Sequence, residues 1–467
     1  MAKRRSIYAC SECGAQQPRW LGRCPDCGAW DSLVEEPLGG KTSDGTLGGV
    51  GPGLSGEPTP LSEIKPDASP RIQTGEPELD RVLGGGLVPG SVSLLGGEPG
   101  VGKSTLALQV CGRLAESGRP VLYVTGEESA EQIRLRADRL GKVPGGLQVM
   151  SETQVERILA QWDALGPDFV LIDSIQTMRC ERVESAAGSV AQVRESAALL
   201  SAKAKAQGAA VVLVGHVTKE GSLAGPRVLE HLVDVVLGFE GDRDHAFRLL
   251  RASKNRFGST QEVGVFTMGA SGLAPVGNPS ELFLSERSSG SPGSCIVPVL
   301  EGTRPMLVEV QALIASSTYG VPRRTCIGIE DGRAALLLAV LDRRSDVDLL
   351  SRDVYVNVAG GVRIGETAAD LALCLAIASS RLDLPIPSDT AACGEVGLGG
   401  EVRRVARLDL RVAEAARLGF RRVLVPPSAG DPPPASHECE HVPIRNVSEA
   451  VAWLRTSTSS HANENRR

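Results

Sequence analysis

Gly97, Gly102, Lys103 and Ser104 stand at the spacing G-x-x-x-x-G-K-[ST] within the run GGEPGVGKST at 96–105. Glycines so placed let successive backbone N–H groups turn inward onto phosphate oxygens, the lysine reaches the β- and γ-phosphates, and the hydroxyl can hold Mg²⁺. Gly97, Glu98, Pro99, Gly100, Val101, Gly102, Lys103, Ser104 and Thr105 are therefore expected to cradle a nucleotide's phosphates. Two acids complete such chemistry, one on the metal and one on the attacking water. Asp173, closing the apolar run DFVLID, suits the metal together with Ser104. Glu127, after the run VLYVT, suits the water, and its neighbour Glu128 stays open for that role. Helix capping or a solvated turn is the plain alternative for these acids. At the start of the chain Cys10, Cys13, Cys24 and Cys27 form two C-x-x-C pairs, each followed by a glycine, Gly14 or Gly28. Four thiolates on one Zn²⁺ in a compact ribbon fit that spacing, with a redox dithiol or a disulfide pair as the alternative.

The elements that must carry these groups surround them. SVSLLGG (91–97) reads as a buried strand entering the phosphate loop, and STLALQVCGRLAESG (104–118) has helical apolar spacing and ends at a glycine. PVLYVTGEES (120–129), DFVLIDSIQT (168–177) and AAVVLVGHVTKEG (209–221) are further strands, leading to Glu127, Asp173 and His216. Ligands of open α/β sheets bind at the carboxyl ends of strands, where all three residues fall. The expected fold class is α/β, with the alternating pattern running to about residue 277. The expected domains are a zinc-binding module at 1–34, a flexible linker rich in Gly, Pro, Ser and Thr at 35–70, the nucleotide-binding domain at 71–277, a second large domain at 278–455, and a disordered polar tail at 456–467.

Composition narrows the class. A chain of 467 residues with 42% hydrophobic content can bury more than one core. No apolar run approaches about 18 residues and MAKRRSIYAC lacks the apolar core of a signal peptide, so a cytoplasmic protein without membrane contact is expected. The net charge of −6 argues against a basic nucleic-acid coat, while leaving room for a narrow basic channel. With 3% aromatic residues, no base-stacking platform is evident. Cys111, Cys180, Cys295, Cys326, Cys374, Cys393 and Cys439 are scattered in mostly apolar surroundings and read as small core residues of a reducing compartment.

The C-x-x-C pairs, the phosphate loop, LIDSIQT, GHVTKEG and above all KNRFG (254–258) together resemble the bacterial RadA/Sms DNA-repair family, from about residue 8 to 454. The resemblance implies a RecA-like P-loop ATPase core, an N-terminal zinc ribbon and a C-terminal α+β domain similar to the Lon protease fold. It further implies ATP, Mg²⁺ and Zn²⁺ as cofactors, a homohexameric ring, a RecA-type recombinase as partner, and a DNA-dependent, helicase-like motor on single-stranded or branched DNA that promotes branch migration. A nucleotide-switched scaffold that regulates recombinase assembly without moving on DNA is the alternative. Lys254 and Arg256, two cations on a turn ended by a glycine, can reach a neighbouring subunit's γ-phosphate or form a solvated basic loop, and in the family the motif works across the subunit interface. His216 corresponds to the γ-phosphate sensor of RecA-like proteins or is a satisfied core histidine. The segments 178–193 and 219–228 correspond to pore loops, and Lys219 and Arg227 are the expected phosphate contacts.

In the second large domain the Lon-like resemblance lacks its chemistry. Ala368 stands at the position of the nucleophilic serine and Asp409 at that of the activating lysine, so peptidase activity is not expected, although Thr367, Ser379 and Ser380 offer hydroxyls nearby. Arg403, Arg404, Arg407 and Arg411 are either a second DNA-binding surface or simply solvated.

Overall fold

The computed structural model describes residues 6–10, 16–25, 28, 30, 32–37, 70–141, 145–215, 228–241, 247–284, 287, 290–317, 322–427 and 439–464. Two compact units divide the chain, Met1–Val276 and Gly277–Arg467.

The N-terminal unit begins with a three-stranded antiparallel ribbon, β1 (Ser6–Cys10), β2 (Gln16–Gln17) and β3 (Leu33–Pro37), in the order β2-β1-β3. β3 runs beyond residue 34 because it pairs along the whole of β1, from Cys10 with Leu33 to Ser6 with Pro37. Residues 38–69, most of the expected linker, lie outside the described residues.

Then follow α1 (Pro77–Leu83), β4 (Val92–Gly97), α2 (Lys103–Glu116), β5 (Val121–Thr125), α3 (Ala130–Leu140), β6 (Leu147–Ser151), α4 (Val155–Leu165), β7 (Phe169–Asp173), α5 (Val190–Gln207), β8 (Ala210–Val214), α6 (Val228–Leu232), β9 (Val235–Glu240), β10 (Phe247–Asn255), β11 (Val263–Gly269) and β12 (Gly272–Pro275). They build a nine-stranded sheet in the order β12-β11-β10-β9-β4-β8-β7-β5-β6. β9, β4, β8, β7, β5 and β6 run parallel, and β10, β11 and β12 extend the sheet as an antiparallel meander. Every residue of β4, β5 and β7 is buried, as expected of parallel strands covered on both faces. In α2, Leu106, Val110 and Leu114 recur every fourth residue, with Ala107 and Cys111 beside them, so one stripe meets the sheet. The opposite face is covered by α4 and α5 around the fully buried Trp162, Ala197 and Leu200.

The C-terminal unit comprises α7 (Pro279–Leu284), β13 (Ser294–Glu301), β14 (Arg304–Ser316), β15 (Arg324–Ile327), α8 (Asp331–Arg344), β16 (Arg352–Val358), α9 (Asp370–Leu382), β17 (Thr390–Ala392), β18 (Glu395–Val396), β19 (Val402–Arg403), α10 (Leu408–Arg417), β20 (Arg422–Val425), β21 (Glu440–Pro443) and α11 (Val447–Glu464). Its mixed sheet has the order β15-β16-β14-β13-β17-β20-β21, with β18 and β19 as a separate hairpin. Residues 371–378 of α9 are all buried, so this helix is core rather than amphipathic surface. α11 corrects the expectation of disorder from residue 456: the Thr456 and Ser457 hydroxyls donate to the Trp453 carbonyl and continue the turn rather than leaving it. No described helix is long and apolar enough to cross a membrane.

Candidate nucleotide site

β4 delivers the phosphate loop to the carboxyl edge of the sheet, and the loop's backbone takes shapes that glycine permits: Gly100 has φ 83° and Gly102 φ 115°. At Gly97 an added Cβ would stand 2.5 Å from the Phe239 carbonyl oxygen. Gly102 is the N-cap of α2 and no side chain caps the helix, so its first N–H groups are left to a ligand, an arrangement that suits an anion. Lys103, 4% exposed, donates from Nζ to the carbonyls of Gly97 (2.7 Å) and Glu98 (3.0 Å). Burial holds its ammonium below the ordinary lysine range, and the fields of Asp173 and then Glu127 oppose that loss. Lysine, helix start and both acids thus converge on one edge of the sheet.

Asp173 ends β7 in register with Thr125 at the end of β5 and Val214 at the end of β8. Only 8% exposed, it accepts a hydrogen bond from the Tyr123 hydroxyl at 2.8 Å. Burial, then the field of Asp173, keeps Tyr123 well above the usual phenol range, so it stays a proton donor. Ser104 and Asp173 supply oxygen donors of the kind Mg²⁺ takes.

The two neighbouring acids part company after β5. Thr125 Oγ1 accepts from the backbone N–H groups of Glu127 (3.4 Å) and Glu128 (3.0 Å) and folds the chain into a tight turn. The two side chains leave it differently. Ser174, next to Asp173, donates to Glu127 Oε1 at 2.5 Å. Glu128 instead pairs with Arg136 on α3, which starts with a capping box between Ser129 and Gln132. Gly126 allows this packing, since a Cβ there would stand 2.1 Å from Thr177 Oγ1.

KNRFG lies elsewhere. Asn255 pairs with Val235 at the amino end of β9, whereas Phe239, further along β9, pairs with Gly97 of the phosphate loop. Four residues of strand separate the two levels, roughly 13 Å. Lys254 Nζ donates to the carbonyls of Glu230 (2.7 Å) and Val233 (2.8 Å), and Arg256 pairs with Asp234 at 3.1 Å while remaining half-exposed. Burial and then the Arg256 cation lower the Lys254 ammonium. Asn255 Nδ2 donates to Val82 O at 3.2 Å, and Arg71 holds the Phe257 carbonyl at 2.6 Å, so the turn is braced against α1 and the chain before it.

His216, Lys219 and Arg227 lie outside the described residues, although Gly215 N donates to Leu95 O and brings the chain before His216 alongside β4. The segment 178–193 is firmly held rather than a loose loop: the buried Gln192 carboxamide accepts from Cys180 N (2.7 Å) and donates to the carbonyls of Val183 (2.7 Å) and Ser185 (3.0 Å). Its last residues already belong to α5, capped by Ser189.

In the ribbon, Cys10 and Cys24, one cysteine from each C-x-x-C pair, are both buried and share one cluster with Leu33; Cys13 and Cys27 lie outside the described residues. Gly28, at φ 76°, donates its N–H to Cys24 O at 2.9 Å, closing the turn the spacing suggested. Ser32 Oγ lies 3.2 Å from Cys10 Sγ, a hydroxyl able to donate to a thiolate once metal is bound. This donor set fits zinc. The remaining seven cysteines are free thiols, buried except for the half-buried Cys326, and burial pushes Cys295 and Cys393 up to about 12.

In the C-terminal unit Ala368 is buried and Asp409 is exposed at the start of α10. Arg411 corrects the expectation of a surface arginine: it is 1% exposed, forked onto Glu366, and donates to Pro298 O at 2.7 Å. The nearby hydroxyls are also in use. Thr367 donates to Glu395 (2.9 Å), Ser379 to Leu384 O (2.5 Å), and Ser380 accepts from Ile314 N (3.0 Å). The sequence contains no lysine after Lys254, so this unit has none to activate a nucleophile.

Sequence reading missed Tyr123 and Ser174, and the only signal was a phenol in the middle of the buried run VLYVT and a hydroxyl directly after Asp173 in FVLIDSI.

Residues 57–222 match a family described as "AAA domain", and residues 8–35 match "Rubredoxin metal binding domain". The chain is 50% identical to "DNA repair protein RadA" of Bacillus subtilis (strain 168), covering 98% of this chain and 99% of that one. It is 52% identical to the protein of the same name from Pseudomonas aeruginosa, covering 91% and 94%. A KaiC-like protein of Pyrococcus horikoshii OT3 aligns over 44% of this chain and 99% of that one, at 24% identity and a TM-score of 0.37. The chain belongs to the RadA family of DNA repair proteins, with a P-loop ATPase domain behind an N-terminal zinc ribbon.

Proposed function

We propose that this chain hydrolyses ATP as one subunit of a ring, and that the ring uses the hydrolysis to move on single-stranded DNA and to drive branch migration of recombination intermediates. In this reading Lys103 and the first N–H groups of α2 bind the β- and γ-phosphates. Glu127, oriented by Ser174, takes a proton from the attacking water as the γ-phosphoryl passes to that water and ADP leaves. Ser104 and Asp173 hold Mg²⁺, and Tyr123 fixes the orientation of Asp173. Magnesium supplies charge neutralisation at the phosphate oxygens when bound.

The observation that carries the ring is the position of Lys254 and Arg256, at the edge of the sheet opposite their own phosphate loop. Cations there act on phosphate only if the phosphate belongs to a neighbour. His216 as γ-phosphate sensor, Lys219 and Arg227 as DNA contacts, Cys10, Cys13, Cys24 and Cys27 as zinc ligands, and a RecA-type recombinase as partner complete the proposal. The C-terminal unit, resembling the Lon fold without a lysine, serves as scaffold and not as peptidase.

ATP hydrolysis measured with and without single-stranded DNA over a salt titration tests the motor. Salt-sensitive stimulation supports it. Turnover indifferent to DNA at low salt favours the nucleotide-switched scaffold. Mixing Lys254→Ala with Lys103→Ala protein tests the ring: recovered turnover supports action across an interface, and no recovery counts against it.

A further inference from the structure

The ribbon exposes two large aromatic side chains that its own small core does not use. Trp20 is 53% and Trp30 73% exposed, while the described core comprises Cys10, Cys24 and Leu33 with Tyr8 and Leu21 against it. The indoles flank Gly22: a Cβ at that residue would stand 3.7 Å from Trp20 Cη2 and 3.9 Å from Trp30 Cζ3. A missing side chain therefore keeps the space between the two ring edges open.

One ring already carries a cation. Arg23 and Trp30 oppose each other in an isolated antiparallel bridge, and the guanidinium carbon lies 5.8 Å from the ring centroid, within cation–π range. Arg23 Nε donates to Gly28 O at 2.8 Å, which fixes the guanidinium in place. Arg19 and Arg23 are both exposed, and among the described residues no carboxylate pairs with either. The low aromatic content of the whole chain hides this concentration, since half of its four tryptophans stand within one short segment.

We infer that Trp20 and Trp30, flanked by Arg19 and Arg23, form a stacking platform for the unpaired bases of single-stranded DNA. Planar faces beside cations match a nucleotide, which alternates a planar base with an anionic phosphate, and stacking accepts every base because each has a π-face. Bases of a duplex are stacked on one another and offer no such face. The inference rests on the DNA reading above and adds a contact outside the ATPase core.

The test uses the full-length protein and oligo(dT), read by intrinsic tryptophan emission. Trp162 is fully buried and Trp453 half-buried, so quenching reports mainly on the ribbon. Trp20→Ala and Trp30→Ala are each expected to weaken oligo(dT) affinity by about 5- to 150-fold, with smaller losses for the Phe variants and unchanged affinity for a blunt duplex. Gly22→Leu, which fills the gap and keeps both rings, is expected to weaken oligo(dT) binding as well. Zinc content equal to wild type in every variant establishes that the ribbon is folded. Unchanged oligo(dT) affinity in zinc-replete Ala variants overturns the platform, as does selective loss of recombinase binding, which assigns the rings to a protein partner. A wild-type protein neither bound nor stimulated by oligo(dT) overturns the DNA reading itself, whereas stimulated turnover with unaffected Ala variants overturns only the platform.

Discussion

In the N-terminal unit the buried Lys103 has two neutral carbonyls of its own loop for partners, whereas in the C-terminal unit the buried Arg411 is forked onto Glu366 and held by two further carbonyls. Arg333 repeats the second pattern on Asp370, whose carboxylate also accepts Val396 N at 3.0 Å. Among the described residues no carboxylate lies within ion-pair distance of Lys103, although Asp173 and Glu127 act on it through space. A buried cation paired only with carbonyls is poised for an anion of higher charge, such as a phosphate, while a forked ion pair has no capacity left. Charge is thus kept open where the chemistry is proposed and closed where the fold is only supported.

Removing the open charge has the largest expected effect. Lys103→Ala lowers ATP turnover by roughly 10³-fold or more, with the unfolding midpoint preserved; residual turnover within tenfold of wild type would sink the site. Next, Glu127→Gln lowers turnover by about 10²- to 10³-fold, while Glu128→Gln, which touches only the Arg136 pair, changes it by a few-fold at most. Equal losses in the two variants would show that the turn after β5 does not sort the acids as described. On the closed side, Arg411→Ala destabilises the C-terminal unit by about 3 kcal/mol, at the low end for a broken buried pair because Glu366 keeps partial access to water. Urea unfolding measures that loss, and turnover per folded chain stays within about twofold. Unchanged stability would mean that the pair is ornamental. The smallest effect is that of Tyr123→Phe, which removes one hydrogen bond to Asp173. Stability falls by about 1 kcal/mol and the Mg²⁺ concentration for half-maximal turnover rises by about 5- to 10-fold. A Mg²⁺ titration that superimposes on wild type would leave Tyr123 a core residue only.

The phosphate loop, its flanking strand and helix, the two C-x-x-C pairs and the terminal position of Asp173 were legible in the chain because each depends on near neighbours. Glycine spacing, apolar runs and 3.6-residue periodicity are local properties, and local backbone geometry follows from them. Tertiary structure decided what depends on register between distant segments. Glu127 rather than Glu128 turns to Ser174, the chain neighbour of Asp173, although 47 residues separate the two. KNRFG falls at the far edge because β10 returns antiparallel to β9, a direction that no residue within the motif encodes. Arg411, and not the exposed Asp409, became the buried charge because its position along α10 turns it toward the interior and Glu366. Trp20 and Trp30 are lost in an aromatic content of 3%, and only the ribbon sets them on either side of Gly22. The sequence by itself determined which chemical groups are present and which local turns present them; only the packed fold decided which groups meet, because side-chain direction depends on long-range strand pairing and helix rotation rather than on spacing.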